Sequence, residues 1–289
     1  MKLLRFNGGR VVLVLDGTVR DITAAAGVDP AQWPPVGMVQ LIASFGAKRE
    51  QLLDAARRAP GLDLASVHLE TPVPWPNKLI AIPVNYHAHA LEMSSPAISK
   101  NGGFFVKSAS SLSGASDPIL LPDLPGRAVH HEAELAIIVG RRGRHVSRED
   151  ALEYVFGYAC LLDMTVRGKQ ERAIRKSYDT FTPVGPWITT ADEVPDPSAL
   201  RVQLWVNDES RQDAYTRDMI VDVPEIIAMC SSVVTLEPGD VIATGTAEGV
   251  GPVSVGDTVT IDISPGVGRM AVRVEQGQGG WNIAIPRDV

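Results

Sequence analysis

A chain of 289 residues with 45% hydrophobic content is long enough to bury one large core, or one core with a small satellite. Its formal net charge of -7 and pI near 5.4 exclude the basic stripe that nucleic acid requires and any pull toward anionic lipid. Asn7-Gly8-Gly9 interrupts the N-terminus before any signal-length apolar run, and Cys160 and Cys230 both sit among apolar neighbours, so the expectation is a cytoplasmic protein with reduced thiols acting on a small molecule.

In chain order, "RVVLVLD", a turn at Asp16-Gly17 and "TVRDIT" alternate as a β-hairpin does. Residues 37–58 read as a helix. "TPVPWPNK", Thr71 to Lys78, places three prolines within five positions, which excludes helix and marks a linker. The predicted organisation is therefore a small N-terminal accessory domain, 1–70, and a larger domain, 71–289. Past the linker, short β-rich runs dominate, among them "KLIAIPV", "ELAIIVG", "YACLLDM", "RVQLWVN", "DVIATGT", "DTVTIDI" and "GRMAVRVE". With Gly and Pro turns between them, they predict an α+β fold that is mainly β, a mixed roll or sandwich. Two helices interrupt the strands. One is expected over 148–156, with Ser147 as N-cap and Gly157 closing its last turn. The other starts at Asp222, carries Pro224 early, and turns Val223, Ile226, Ile227 and Cys230 inward.

The stretch "HHEAELAIIVG" sets two carboxylates into an aliphatic run. A strand repeats every two residues, so Glu132 and Glu134 share one face while Ala133 and Leu135 take the other. Two acids pressed together repel one another and lose solvation, which a cation between them relieves. The next β-run, "GYACLLDMTVR", ends in Asp163, a third carboxylate within reach. Three oxygen ligands with no thiolate beside them suit Mg²⁺, Mn²⁺ or Ca²⁺ better than Zn²⁺. Taken alone, two glutamates in alternation also arise on exposed edge strands. In "NYHAHALEM", His89 and Glu92 are three apart, on one face if the segment is helical, and form a general base for water. An inert surface pair has the same spacing. His87 is misplaced for a shared face with Glu92.

Taken together, "NYHAHALE", "HHEAELAIIVG", "GYACLLDMTVR", "KSYDTFTPVGPW", "VNDESRQ", "LEPGDVIATGTAEGVGPV" and "VGDTVTIDI" resemble the fumarylacetoacetate hydrolase family, in order and spacing, from about Pro74 to Val274. The resemblance implies a mixed β-roll catalytic domain, a homodimer, and a divalent metal, usually Mg²⁺, held by Glu132, Glu134 and Asp163. It also implies a mobile lid carrying His89 and Glu92, and a lysine facing the substrate, matched by Lys176. Thr246 matches a substrate-carboxylate contact, Arg167 and Gln170 match positions near the site, and Lys107 falls where the family has a lysine beside the cavity. Two positions depart from the pattern: Gly168 follows Arg167 where an acid is common, and Pro83 stands where a glycine is usual. Both border the site and leave the substrate's distal group open. The expected activity is metal-dependent hydrolysis of a carbon–carbon bond in a 2,4-dioxo acid of acylpyruvate type. Isomerisation or decarboxylation of 2-oxo or 2-hydroxydiene dioates is the alternative, and a non-catalytic binding protein of the same fold a weaker one.

Overall fold

The strand Ala133–Val139 is buried at all seven positions, as its sequence AELAIIV requires. Its two faces serve different cores: Leu135, Ile137 and Val139 join one apolar cluster, Ala136 and Ile138 another. The computed structural model describes residues 1–94 and 103–278. In it this strand is central to a 12-stranded sheet that runs, from one edge, Gly61–Leu62, Thr18–Asp21, Arg10–Leu15, Lys2–Phe6, Thr182–Thr190, Val155–Leu162, Ala133–Val139, Val241–Ala243, Leu79–Ala81 and Phe105–Val106. Leu69–Glu70 and Leu112–Ser113 pair off this path. A 5-stranded sheet and a 3-stranded sheet pack beside it, so the fold is α+β and mainly β.

The long helix spans Gly37–Arg58, as its sequence predicts. Met38, Leu41, Ile42, Phe45, Leu52 and Ala56 are its buried apolar side chains, a helical stripe laid on the large sheet, with Phe45 edge-on to Phe156 at 5.0 Å. The Arg10–Leu15 and Thr18–Asp21 hairpin turns at Asp16 and Gly17, both at positive φ. Thr71–Lys78 contains neither helix nor strand. On its N-terminal side, however, Lys2 and Leu3 pair with Thr189 and Ile188, so the first seventy residues add strands to the same sheet and share a core with Ala136, Ile138, Ala159 and Leu161.

Asp222 caps the helix Val223–Val233, accepting from the Glu225 N–H at 3.0 Å. The helix expected over 148–156 does not form. Ser147 and Asp150 do exchange hydrogen bonds, but only a short 3₁₀ turn, Ala151–Tyr154, follows, and Val155–Leu162 is a strand. Gly157 lies inside that strand between Ile138 and Thr190, where a Cβ would stand 2.3 Å from the Thr189 carbonyl oxygen. Pairing on both sides outweighs the local helical signal. Among the described residues no helix is long and apolar enough to cross a membrane.

Candidate active site

The register of the central strands builds the site. Ala133 is opposite Leu162, so the next residues across the ladder are Glu132 and Asp163, and the Asp163 N–H donates to the Glu132 carbonyl at 2.9 Å. Glu134 follows on the same side by the two-residue repeat. One oxygen from each of the three lies within 4.8 Å of the others, and all three residues are buried. Glu134 accepts the Gly245 N–H at 2.7 Å. Gly245 has φ +93°, and a Cβ there would stand 2.6 Å from the Cβ of Asn85, so only glycine lets this loop come so near.

Two ammonium groups answer the acids. Lys176 Nζ donates to Glu132 Oε2 at 2.6 Å and to Asp163 Oδ2 at 2.5 Å. Lys107 Nζ donates to Asp163 Oδ1, and to the Phe181 carbonyl at 3.3 Å. Burial acts against the charge on both lysines. For Lys176 the attraction of Asp163 and Glu132 wins and holds the ammonium above its ordinary value, whereas for Lys107 burial wins and lowers it. Burial likewise raises Glu132, but the Lys176 and Arg167 charges overcome it and hold that carboxyl at about 2. Glu134 is pushed well above the usual carboxylate range by burial and by Asp163. Three carboxylates meet two ammonium groups and the Arg167 guanidinium, yet none of these cations pairs with Glu134, which has only the Gly245 N–H. The ligand set of the cluster is oxygen alone, and it is the one group of this kind among the described residues. These residues fit a hard divalent cation.

The helix His87–Glu92 carries the second half of the site. His89 Nδ1 lies 3.0 Å from Glu92 Oε2, and Glu92 Oε1 accepts the Gly249 N–H at 3.0 Å, so the carboxylate is held at both oxygens. His89 is buried and His87 exposed, as the spacing to Glu92 leads one to expect. Fully buried Asn85 anchors the approach to this helix. Its amide donates to the carbonyls of Val221 and Thr244 at 2.9 and 2.8 Å, and its oxygen accepts from Val221 N–H.

A cavity of about 200 Å³ joins the two halves. Seven of the residues singled out in the sequence line it: Glu132, Glu134, Asp163, His89, Arg167, Lys176 and Thr246. Thr246 Oγ1 accepts from Gln212 Nε2 at 2.8 Å. Arg167 reaches Glu132 Oε1 only at 3.5 Å, and its Nε and one terminal nitrogen are buried without a hydrogen-bond partner. Gln170 and Lys107, expected as substrate contacts, do not line the cavity. Lys107 lies behind the acids, on Asp163 and Phe181, and the Gln170 side-chain oxygen Oε1 is buried without a partner.

Sequence reasoning missed three residues. Arg172 and Arg175 line the cavity, and their signal was the density of cations in "ERAIRKS" beside Lys176. Gln212 is the third. It accepts the Ala133 N–H at 3.0 Å and donates to Thr246 Oγ1 and, at 2.9 Å, to the Ala247 carbonyl, tying the strand that bears the acids to the Thr246 loop. Its signal was its place at the end of "VNDESRQ", one of the segments that carry the resemblance.

The fumarylacetoacetate (FAA) hydrolase C-terminal family matches residues 78–275. Over 286 residues the chain is 42% identical to a maleylpyruvate hydrolase of Aquipseudomonas alcaligenes, covering 95% of this chain and 99% of the relative. A crystal structure of maleylpyruvate hydrolase from Sphingobium sp. SYK-6, in complex with manganese(II) ion and pyruvate, matches with a TM-score of 0.89 at 56% identity, across 96% of this chain and 100% of that one. The crystal structure of 2-hydroxyhepta-2,4-diene-1,7-dioate isomerase from Mycobacterium marinum matches with a TM-score of 0.72 at 30% identity, across 96% of this chain and 99% of that one. The chain belongs to the fumarylacetoacetate hydrolase family.

Proposed function

We propose that this member of the fumarylacetoacetate hydrolase family is a divalent-metal-dependent hydrolase that cleaves a 2,4-dioxo acid of acylpyruvate type into pyruvate and a carboxylic acid. The observation that carries the reading is one cavity lined by both the three-carboxylate cluster and His89, with Glu92 behind the imidazole at 3.0 Å. Likeness to maleylpyruvate hydrolases over nearly the whole chain supports it.

A divalent cation held by Glu132, Glu134 and Asp163 supplies positive charge where the 2-oxo oxygen becomes negative as the C3–C4 bond breaks. His89, oriented by Glu92, takes a proton from the water that adds to the C4 carbonyl. Breaking C3–C4 leaves the distal fragment as a carboxylic acid and the other as the enolate of pyruvate, which accepts a proton at C3. Lys176 and Thr246, both in the cavity wall, orient the 2-oxo acid and the developing oxyanion. Mg²⁺ is the resident ion in this proposal, and Mn²⁺ or Ca²⁺ suits the same oxygens. The proposal extends to a cytoplasmic homodimer in which residues 1–70 are accessory and the His87–Glu92 helix belongs to a lid.

The second reading is isomerisation or decarboxylation of a 2-oxo or 2-hydroxydiene dioate, favoured by the likeness to a 2-hydroxyhepta-2,4-diene-1,7-dioate isomerase. Neither reaction needs an attacking water, so His89 separates them from hydrolysis. Acylpyruvates, oxaloacetate and a 2-hydroxymuconate-like acid should be assayed with Mg²⁺ or Mn²⁺ and with a chelator. Hydrolysis predicts that His89→Ala lowers acylpyruvate kcat by roughly 10²–10⁴-fold while metal affinity stays within about threefold. An acylpyruvate rate indifferent to His89, beside a strong metal-dependent isomerase or decarboxylase rate, would replace the first reading with the second.

A further inference from the structure

Gln212 does not line the cavity and carries no charge, yet both polar ends of its side chain are engaged. It is 2% exposed, on the strand Glu209–Tyr215. Its Oε1 accepts the Ala133 N–H at 3.0 Å, and His131 Nδ1 stands 3.3 Å from the same oxygen. Its Nε2 faces Thr246 Oγ1 at 2.8 Å and the carbonyls of Ala247 and Glu248 at 2.9 and 3.3 Å. A backbone N–H only donates and a carbonyl only accepts, so the amide has one allowed orientation. Flipped, it would set its oxygen against two carbonyls and its nitrogen against a donor. The consequence falls on Thr246. An amide nitrogen cannot accept a hydroxyl proton, so the Thr246 oxygen is the acceptor of this pair and its own proton needs another partner. Among the described residues that proton has none, and Thr246, 3% exposed, lines the cavity. Its hydroxyl is therefore free to donate into the cavity, the polarity that an anion requires.

We propose that Gln212 is a positioning residue that sets the polarity of Thr246. By holding the Thr246 oxygen as an acceptor, it fixes the hydroxyl as a donor to the carboxylate of a bound 2-oxo acid. The same amide grips Ala133, the residue between Glu132 and Glu134, so the donor is also held in register with the metal ligands. This rests on the function proposed above. A hydroxyl without such a tie rotates, and in part of its range it turns lone pairs toward the anion. Gln212 itself touches neither substrate nor metal in this assignment and acts only through Thr246.

The test is a double-mutant cycle read by calorimetric titration of oxalate, an unreactive anion shaped like the enolate of a 2-oxo acid, into the Mn²⁺-loaded protein. Gln212→Glu keeps the size of the side chain and an acceptor for Ala133 but removes the amide donor. Thr246→Val keeps the shape of the threonine and removes its hydroxyl. Each should weaken oxalate by about 10-fold, the loss of one hydrogen bond to a charged group. Together they should stay within about threefold of either single variant, because Gln212 then has no hydroxyl to position. Thr246→Ser restores the hydroxyl and should bring oxalate affinity back to within about threefold of the wild type when Gln212 is present. Losses that multiply to about 100-fold in the double variant would overturn the proposal. So would a matching loss of Mn²⁺ affinity on Gln212→Glu, which would place the effect at the acids. Wild-type oxalate affinity in Thr246→Val would overturn it without any Gln212 variant having to fold. Oxalate is bound and not cleaved, so if the coupling holds while no acylpyruvate is hydrolysed, the hydrolase reading fails and the role of Gln212 stands.

Discussion

Asp240 and Glu134 are both sunk in the protein, 0% and 2% exposed, and the strand that begins beside Asp240 pairs with the strand that carries Glu134. Their surroundings differ. Asp240 accepts the backbone N–H groups of Lys78 and Glu237, each at 2.8 Å, and Lys78 Nζ stands 2.8 Å from its second oxygen. Glu134 accepts one N–H, from Gly245, and faces two other acids. Burial raises both carboxyls; at Asp240 Lys78 and the two N–H groups oppose it, whereas at Glu134 Asp163 adds to it. A buried charge supplied with donors holds a loop in place. One left short of donors among like charges marks where something else binds.

Substitutions should separate the two acids. Glu134→Gln should lower kcat/KM by roughly 10³-fold or more, because a direct ligand matters more than the outer partners whose loss costs about 10–100-fold. The melting temperature of the metal-free variant should equal or exceed that of the wild type, since a like charge is gone. Unchanged metal affinity by calorimetry would remove Glu134 from the ligand set.

Asp240→Ala should do the reverse. It strands three part-buried donors, so chemical denaturation should show a loss of about 2 kcal/mol, while kcat of the folded fraction stays within about twofold. A comparable loss of kcat would mean that the two regions are not independent.

Proton release gives a third distinction. A carboxyl whose folded value is raised contributes stability that is present below its unfolded value and lost as pH rises through the folded one. Both acids therefore make the metal-free protein lose stability as pH rises above about 4, the ordinary carboxylate value. A cation favours the ionised form of Glu134 alone. Metal uptake should then release protons wherever the metal-free Glu134 still holds one, read from calorimetry across the pH range in buffers of different ionisation enthalpy. Asp240→Asn should flatten the metal-free slope and leave that release unchanged.

The smallest expected effect is at Glu92. Glu92→Gln removes the charge behind His89 and leaves one acceptor oxygen where the carboxylate serves both His89 and the Gly249 N–H, so kcat should fall by about tenfold, well short of the loss at His89→Ala. Equal losses would show that the carboxylate does more than orient the imidazole.

Much of this site was legible in the sequence wherever the signal is local. Alternation placed Glu132 and Glu134 on one face, three-residue spacing paired His89 with Glu92, and the Asp222 cap and the 37–58 stripe gave two helices with their buried residues. Where local and distant demands conflicted, the reading failed. Val155 and Phe156, expected in the helix 148–156, instead open a strand that lies between two others, and Gly157, taken for a helix end, is the residue that lets Thr189 approach.

The sequence by itself therefore determined which chemical groups this protein owns, and on which face of its own strand or helix each one lies, because those follow from a period of two or of 3.6 residues. It could not determine which groups meet. That Asp163 stands across from Glu132 depends on the register of two strands, and that Lys107 reaches Asp163 from 56 residues away depends on the whole sheet closing around them. The same closure put Lys107 behind the acids, brought Gln212 under Thr246, and turned Arg172 and Arg175 into the cavity. Tertiary structure decided these things because pairing and burial are energies of contact between distant segments, and no local pattern encodes them.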